Sequence, residues 1–202
     1  PEVTVVNSSF HGPIIAETVI GMMLDHSRRI GEADDSMKSE EWPRYRLAGR
    51  QRRLMGSRVT IAGFGNIGSH VGRLAKQFCC GITGIRRTQV GRPSCFGPDD
   101  RILPPEELRG VLPETDHLVL ALPRSRETDH FIGSVELSLL PEHAAVYNVG
   151  RGNAIDERAL ARGLETGRPC AAYLDVFEQE PLPIDSPLRE LPNCRLMPHI
   201  SA

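Results

Sequence analysis

The run Gly63-Phe64-Gly65-Asn66-Ile67-Gly68 spaces three glycines as GxGxxG directly after the apolar stretch Val59-Thr60-Ile61-Ala62. Between a strand and a helix, the first glycine permits the tight turn and the second lets a pyrophosphate approach the backbone. The third packs helix against strand, and the free N–H groups at the helix start face the phosphates. The motif alone is common. Its place after a strand and before a helical stripe is the context that dinucleotide binding requires, so Gly63, Gly65 and Gly68 are candidate cofactor residues.

The next apolar run ends in Ile85-Arg86-Arg87, with Arg86 18 residues after Gly68. An NAD site usually places Asp or Glu about 20 residues after the glycines, to bind the ribose 2′-hydroxyl. A carboxylate there repels a 2′-phosphate, whereas paired guanidinium groups bind it bidentately, so Arg86 and Arg87 favour NADP over NAD. The alternative for both is a solvated surface pair. Further polar segments follow other apolar runs: Leu122-Pro123-Arg124-Ser125, Asn148-Val149-Gly150-Arg151-Gly152, Asp175 to Pro181, and Pro198-His199-Ile200-Ser201. In an open α/β sheet, ligands bind in the crevice beyond the strand C-termini, where these segments and the glycine loop are expected to converge.

Those runs are the elements that must position the chemistry. Val3 to Val6 reads as a short strand, and Asn7-Ser8-Ser9 supplies turn and cap chemistry. Ile15, Val19, Met22 and Met23 fall at i, i+4, i+7 and i+8, one stripe of a helix starting at Pro13. Residues 31 to 56 are polar around the single Trp42 and read as surface helix and loop. Strands are expected at Val59–Ala62, Ile82–Ile85, Leu118–Leu122, Ala144–Tyr147, Ala171–Leu174 and near Arg195. The stripe Ile67, Val71, Leu74 and Phe78, residues 105 to 111, Ser134–Leu140 and the stretch from Asp156 read as helices. Residues 88 to 101, with Gly91, Pro93, Gly97 and Pro98, read as loop. Continuously apolar strands alternating with helices predict an α/β fold: a Rossmann-type doubly wound parallel sheet with helices on both faces.

The totals agree. The 202 residues are 40% hydrophobic and 25% charged, ordinary for a globular protein, and the net charge of -2 offers no electrostatic case for a nucleic-acid or membrane partner. No apolar run reaches the roughly 18 residues of a membrane helix, and no signal peptide is visible. The five cysteines show neither a CxxC pair nor zinc spacing, so no metal is expected, thiols are read as reduced and structural, and the cytoplasm is the default compartment.

Taken together, the motifs resemble the D-isomer-specific 2-hydroxyacid dehydrogenase family, which includes phosphoglycerate dehydrogenase and glyoxylate/hydroxypyruvate reductase. The resemblance runs from Val5-Val6-Asn7-Ser8-Ser9 and the Ala16-Glu17 helix, through the glycine loop, to Pro198-His199. Asn-x-x-Arg-Gly, Asp-Val-Phe-x-x-Glu-Pro and Pro-His, in this order, are far more specific than the glycine motif. The resemblance implies that Arg151 binds the substrate's carboxylate and carbonyl, and that Glu180 pairs with a catalytic His199. It makes Asp175 the ligand of the nicotinamide carboxamide, and Asn66 and Ile67 backbone contacts of the pyrophosphate. Leu122, Pro123, Thr128, Val149 and Gly150 become the nicotinamide-side wall.

These implied roles are chemically coherent. Hydride delivery to a ketone builds negative charge on its oxygen, which needs a proton donor and a cationic stabiliser. An imidazolium beside a carboxylate can donate the proton, and a planar guanidinium fits a 2-keto carboxylate. Cys79-Cys80 and Ser125 depart from common family residues without disturbing the assignment.

Residues 1–202 are expected to lack the family's separate substrate domain. They are expected to be the NAD(P)-binding domain alone, binding cofactor but turning over poorly. The expected activity is reduction of a small 2-keto acid, with NADP preferred and NAD the alternative. Phosphite or formate oxidation on the same scaffold is an alternative, although formate enzymes typically carry glutamine in place of Glu180. A nucleotide-sensing corepressor-like protein is another. The resemblance also implies a homodimer through about residues 10 to 55, to which Trp42 and the Met22-Met23 stripe contribute unless they pack internally.

Overall fold

Among the described residues, seven parallel strands form one sheet in the order β3-β2-β1-β4-β5-β6-β7. They are β1 (Arg58–Ala62), β2 (Gly81–Ile85), β3 (Arg101–Leu103), β4 (His117–Leu120), β5 (Ala145–Asn148), β6 (Ala171–Leu174) and β7 (Cys194–Leu196). The computed structural model of the protein describes residues 10–39, 42–88, 91 and 93–202. The expected strand Val3–Val6 and the cap residues Asn7 to Ser9 lie outside them.

The helices are α1 (His11–Arg28), α2 (Ile30–Lys38), α3 (Arg44–Ala48), α4 (Asn66–Lys76), α5 (Leu108–Val111), α6 (Ser134–Leu139) and α7 (Glu157–Thr166). Successive strand residues point to opposite faces of a sheet, and the core divides accordingly. Val119, Tyr147 and Tyr173 join Ile15 and Val19 of α1 and Val71 and Ala75 of α4. Leu118, Leu120, Val146 and Leu174 join Leu108 of α5, Leu137 of α6 and Leu160 of α7. All residues of β4, β5 and β6 are buried, as continuously apolar runs require.

Two readings change. Residues between Ile85 and Leu118 hold a third strand, β3, which pairs Arg101 with Thr83 and Leu103 with Ile85. It is three residues long, lies at the sheet edge and starts on an exposed arginine, so no apolar run announces it. β4 ends at Leu120 instead of Leu122: the Ala121 N–H still donates to the Ala62 carbonyl, but Ala121 and Leu122 then pass close to Gly63 and Gly150. Met22 and Met23 are buried inside the chain, whereas Trp42 is 74% exposed.

β1 is flanked by β2 and β4, so the strand order reverses beside it. That switch point opens a crevice at the strand C-termini. Among the described residues no helix is long and apolar enough to cross a membrane, and no His, Cys, Asp and Glu cluster suits a metal.

Candidate cofactor and active site

Each glycine of the loop after β1 has its own physical reason. Gly63 adopts φ 96, and a Cβ there would lie 2.5 Å from the Ala121 carbonyl oxygen. Gly68 lets α4 pack on the turn, since its Cβ would meet the Gly63 carbonyl at 2.4 Å. Gly65 differs. Among the described residues nothing lies within 4 Å of a Cβ built there, so none of them demands glycine. It caps the N-terminus of α4, and the first-turn N–H groups of a helix attract anions, which is the cradle a pyrophosphate needs.

Asn66 opens α4 and packs against Gly12 of α1, while Ile67 is half-buried on the sheet. Arg86 follows β2 directly, and its guanidinium donates to the Phe64 carbonyl at 3.0 Å, placing the cation on the rim of the glycine loop. Arg87 is exposed beside it, and its charge reaches Glu127 across the crevice. The opposite wall is the loop after β4. There Thr128 donates to the Pro123 carbonyl at 2.7 Å and accepts from the Ser125 N–H at 2.9 Å, closing residues 123–128 on themselves. Val149 donates to the Leu120 carbonyl, and Gly150 lies so close to Leu122 that a Cβ would meet its nitrogen at 2.6 Å.

Arg151, Glu180 and His199 come from the ends of β5, β6 and β7. His199 Nδ1 donates to Glu180 Oε2 at 2.7 Å, and Glu180 Oε1 accepts from the Phe177 N–H at 3.0 Å. Partial burial pushes the Glu180 carboxyl up. The hydrogen bonds from His199 and Phe177, with the charges of His199 and Arg151, outweigh it and hold the group below its usual value. The charge of Arg151 is felt at Glu180, and the Gly152 turn that follows Arg151 is pressed onto the Phe177 backbone of the Glu180 loop. Arg151 rests with Nη1 on the Gly150 carbonyl at 2.7 Å, and the Asn148 side chain brackets that turn by donating to the Arg151 carbonyl. His199 Nε2 remains available, on a side chain 53% exposed.

Asp175 is fully buried, and its two oxygens accept the N–H groups of Ile200 and Ser201 at 2.8 and 3.1 Å. Both oxygens are therefore engaged within the chain, on the segment that carries His199.

Three supporting features are harder to see in sequence. A Cβ on Gly152 would fall 1.8 Å from the Phe177 carbonyl carbon, so the turn after Arg151 is pressed directly onto the loop bearing Glu180. Glu157 and Glu178 exchange backbone-to-carboxylate bonds, and His130 Nε2 donates to the same Glu178 oxygen at 3.0 Å. Next to His199 and Glu180 lies a cavity of about 600 Å³ walled by Phe177, Leu182, Leu196 and Met197. The Gly152 contact had a signal in the Arg-Gly pair. The His130–Glu178 pair spans 48 residues and had none.

A family model described as "D-isomer specific 2-hydroxyacid dehydrogenase, NAD binding domain" matches residues 20–201. The chain belongs to the D-isomer specific 2-hydroxyacid dehydrogenase family. The matched part is that family's NAD-binding domain.

A glyoxylate reductase of Thermococcus gammatolerans is 37% identical over 186 residues, covering 90% of this chain and 54% of its own. A D-3-phosphoglycerate dehydrogenase of Methanocaldococcus jannaschii is 35% identical over 188 residues, covering 93% of this chain and 35% of its own. This chain thus spans 35% to 58% of the length of such curated relatives. Among solved structures, a family member from Xanthobacter autotrophicus Py2 in complex with NADPH and MES superposes with a TM-score of 0.87. It is 28% identical and covers 100% of this chain and 81% of its own. A family protein from Aeromonas salmonicida is 36% identical, with a TM-score of 0.86, 98% of this chain and 61% of its own covered.

Proposed function

We propose that residues 1–202 form the cofactor domain of an NADP-preferring reductase of small 2-keto acids, and carry its acid and its carboxylate-binding arginine. The observation that supports this most is the grouping of Arg151 with the Glu180–His199 pair at the strand ends that also hold the glycine cradle. The names of the relatives point to glyoxylate or hydroxypyruvate as substrate.

In this reading the bound nicotinamide supplies hydride to the carbonyl carbon. Arg151 swings from the Gly150 carbonyl to grip the 2-keto carboxylate with its planar fork and to face the carbonyl oxygen. Glu180 fixes the imidazole through Nδ1, leaving Nε2–H to give a proton to the oxygen as charge develops on it. Leu122, Pro123, Thr128, Val149 and Gly150 would form the wall for the nicotinamide, and Asp175 would hold the histidine segment beside it.

His199 and Arg151 stand open to water, so turnover by this chain alone is expected to be slow. Oxidation of NADPH on a panel of 2-keto acids tests the assignment. His199→Asn and Arg151→Gln should each lose about 100-fold or more while NADPH affinity stays within about twofold. Turnover indifferent to both changes sinks it.

The second copy in the proposed homodimer docks on the α2–α3 face. Ile30, Met37, Trp42 and Tyr45 are large apolar side chains exposed there, more than a solitary surface usually leaves open. Sedimentation should report a dimer that Trp42→Ala with Tyr45→Ala converts to monomer.

A further inference from the structure

A second polar cavity opens at the other end of the sheet, where β1, β4 and β5 begin. It measures about 300 Å³, the small end of the range for ligand sites, and is lined by His26, Ser27, Arg52, Arg53, Asp116 and His143, among others. The last turn of α1 supplies the first two. Arg52 N–H donates to the Ser27 carbonyl at 2.8 Å, and Gln51 bonds to the Arg28 carbonyl, so the segment carrying both arginines is stitched to the helix end.

Most polar groups around this cavity are already engaged. Asp116 accepts from the Arg58 N–H at 2.7 Å and from His143 Nε2 at 2.6 Å. His117 Nδ1 pairs with the Tyr147 hydroxyl at 2.9 Å, and the Ser57 hydroxyl donates to the Leu54 carbonyl. Two groups are not. Among the described residues, His26 Nδ1 and Ser27 Oγ have no hydrogen-bond partner; both are buried, on residues 3% and 2% exposed. Buried polar atoms left unpaired are costly, and two on adjacent residues that line one cavity point to a missing partner. Arg52 and Arg53, exposed at the mouth, have no ion-pair partner among the described residues.

The chemistry of these four groups narrows the ligand. Two guanidinium groups call for an anion. Burial drives the His26 imidazole down to about 3, with the charges of His117 and Arg29 acting the same way and a backbone bond to His143 opposing. The ring is therefore neutral, its other nitrogen serves the His143 backbone, and Nδ1 is an acceptor that needs a donor. Ser27 Oγ can serve either way.

We infer that this cavity binds a small oxyanion that retains a proton at neutral pH, namely hydrogen phosphate. The oxygens lie on Arg52 and Arg53, and the P–OH donates to His26 Nδ1. The site is independent of the glycine cradle and of the proposed reductase activity, because it sits beyond the opposite ends of the strands.

Calorimetric titration of inorganic phosphate into the protein saturated with NADPH, which blocks the glycine cradle, tests the inference. Phosphate should bind and shift the His26 ring resonances. Arg52→Ala with Arg53→Ala should weaken it at least about tenfold, and Ser27→Ala about threefold, with NADPH affinity unchanged. Sulfate, which has no proton to give at neutral pH, should bind at least about tenfold more weakly than phosphate. Equal affinity for sulfate, binding that survives loss of both arginines, or no response by about 20 mM phosphate each overturns the site. So does closure of the cavity by a second copy of the chain, read as protection of His26 that is lost on dilution to monomer.

Discussion

Asp175 and Ile200 are 25 residues apart and joined by a 2.8 Å bond from the Ile200 N–H to a carboxylate with no exposure to solvent. With the Ser201 bond beside it, this contact sets the backbone on one side of His199, which sits in the left-handed region at φ 56. A non-glycine residue holds that conformation only when its surroundings impose it. Asp175→Ala should strand both N–H groups and cost about 2–4 kcal/mol; Asp175→Asn keeps one acceptor and should cost about half of that. Urea midpoints at unchanged slope would show it, together with new proteolytic cleavage after Leu196. A midpoint unmoved in the alanine variant would refute the anchoring role.

Two glycines of the site should respond in opposite ways to one added methyl group. Gly152→Ala drives a Cβ into the Phe177 backbone and should destabilise the fold by about 3 kcal/mol or more. Gly65→Ala meets none of the described residues and should leave the melting temperature within a degree or two, since the residue has negative φ. Its NADPH affinity should nevertheless fall about tenfold or more, because the methyl stands where the pyrophosphate approaches. Thermal melts and fluorescence titrations separate the outcomes. An alanine at 65 that binds NADPH normally would leave the cradle without its ligand.

This contrast also marks what sequence could and could not reveal. The sheet was legible because β4, β5 and β6 are buried on both faces and read as unbroken apolar runs. The three-residue β3 needs only one partner and no apolar run, so composition hides it. Arg151, Glu180 and His199 stand in local motifs next to prolines and glycines that shape their own turns, which made them visible. The His130–Glu178 pair and the burial of Asp175 depend on segments distant in the chain, and no local spacing encodes them. Pairing of Met22 and Met23 with a second copy was equally open from their stripe; only the packing of α1 on α4 turns them inward.

Arg86 offers a test of cofactor choice. Its guanidinium rests on the Phe64 carbonyl, beside the place a ribose would occupy next to the glycine turn. Arg86→Asp replaces a cation suited to a 2′-phosphate with an anion that repels it and can bind a 2′-hydroxyl. NADPH affinity should fall about 30-fold or more, whereas NADH affinity should hold or rise. Parallel titrations of both nucleotides check this. Equal losses would mean that Arg86 only braces the glycine loop.

His26 and His117 set the acid limit of the fold. Their rings are buried and lie edge to face, 5.8 Å apart. Burial lowers both, His26 to about 3 and His117 to about 4, against 6.5 in the open chain. Because the folded values lie below the unfolded one, the unfolded chain takes up protons first as pH falls. The contribution of each neutral ring is complete above pH 6.5 and is lost on acidification toward those folded values. Each costs about 1.4 kcal/mol per pH unit over that window, so roughly 2 kcal/mol apiece is lost by pH 5, less where the two rings couple. Asp116, held below its ordinary value by the Arg58 N–H and His143 despite its burial, adds a separate loss that begins only as pH falls into the carboxylate range. Unfolding free energies in urea at pH 7.5, 6 and 5 should therefore fall steeply in the wild type. The slope should flatten in His26→Gln with His117→Gln, whatever the variant's starting stability. Parallel slopes would show that other groups govern the acid response.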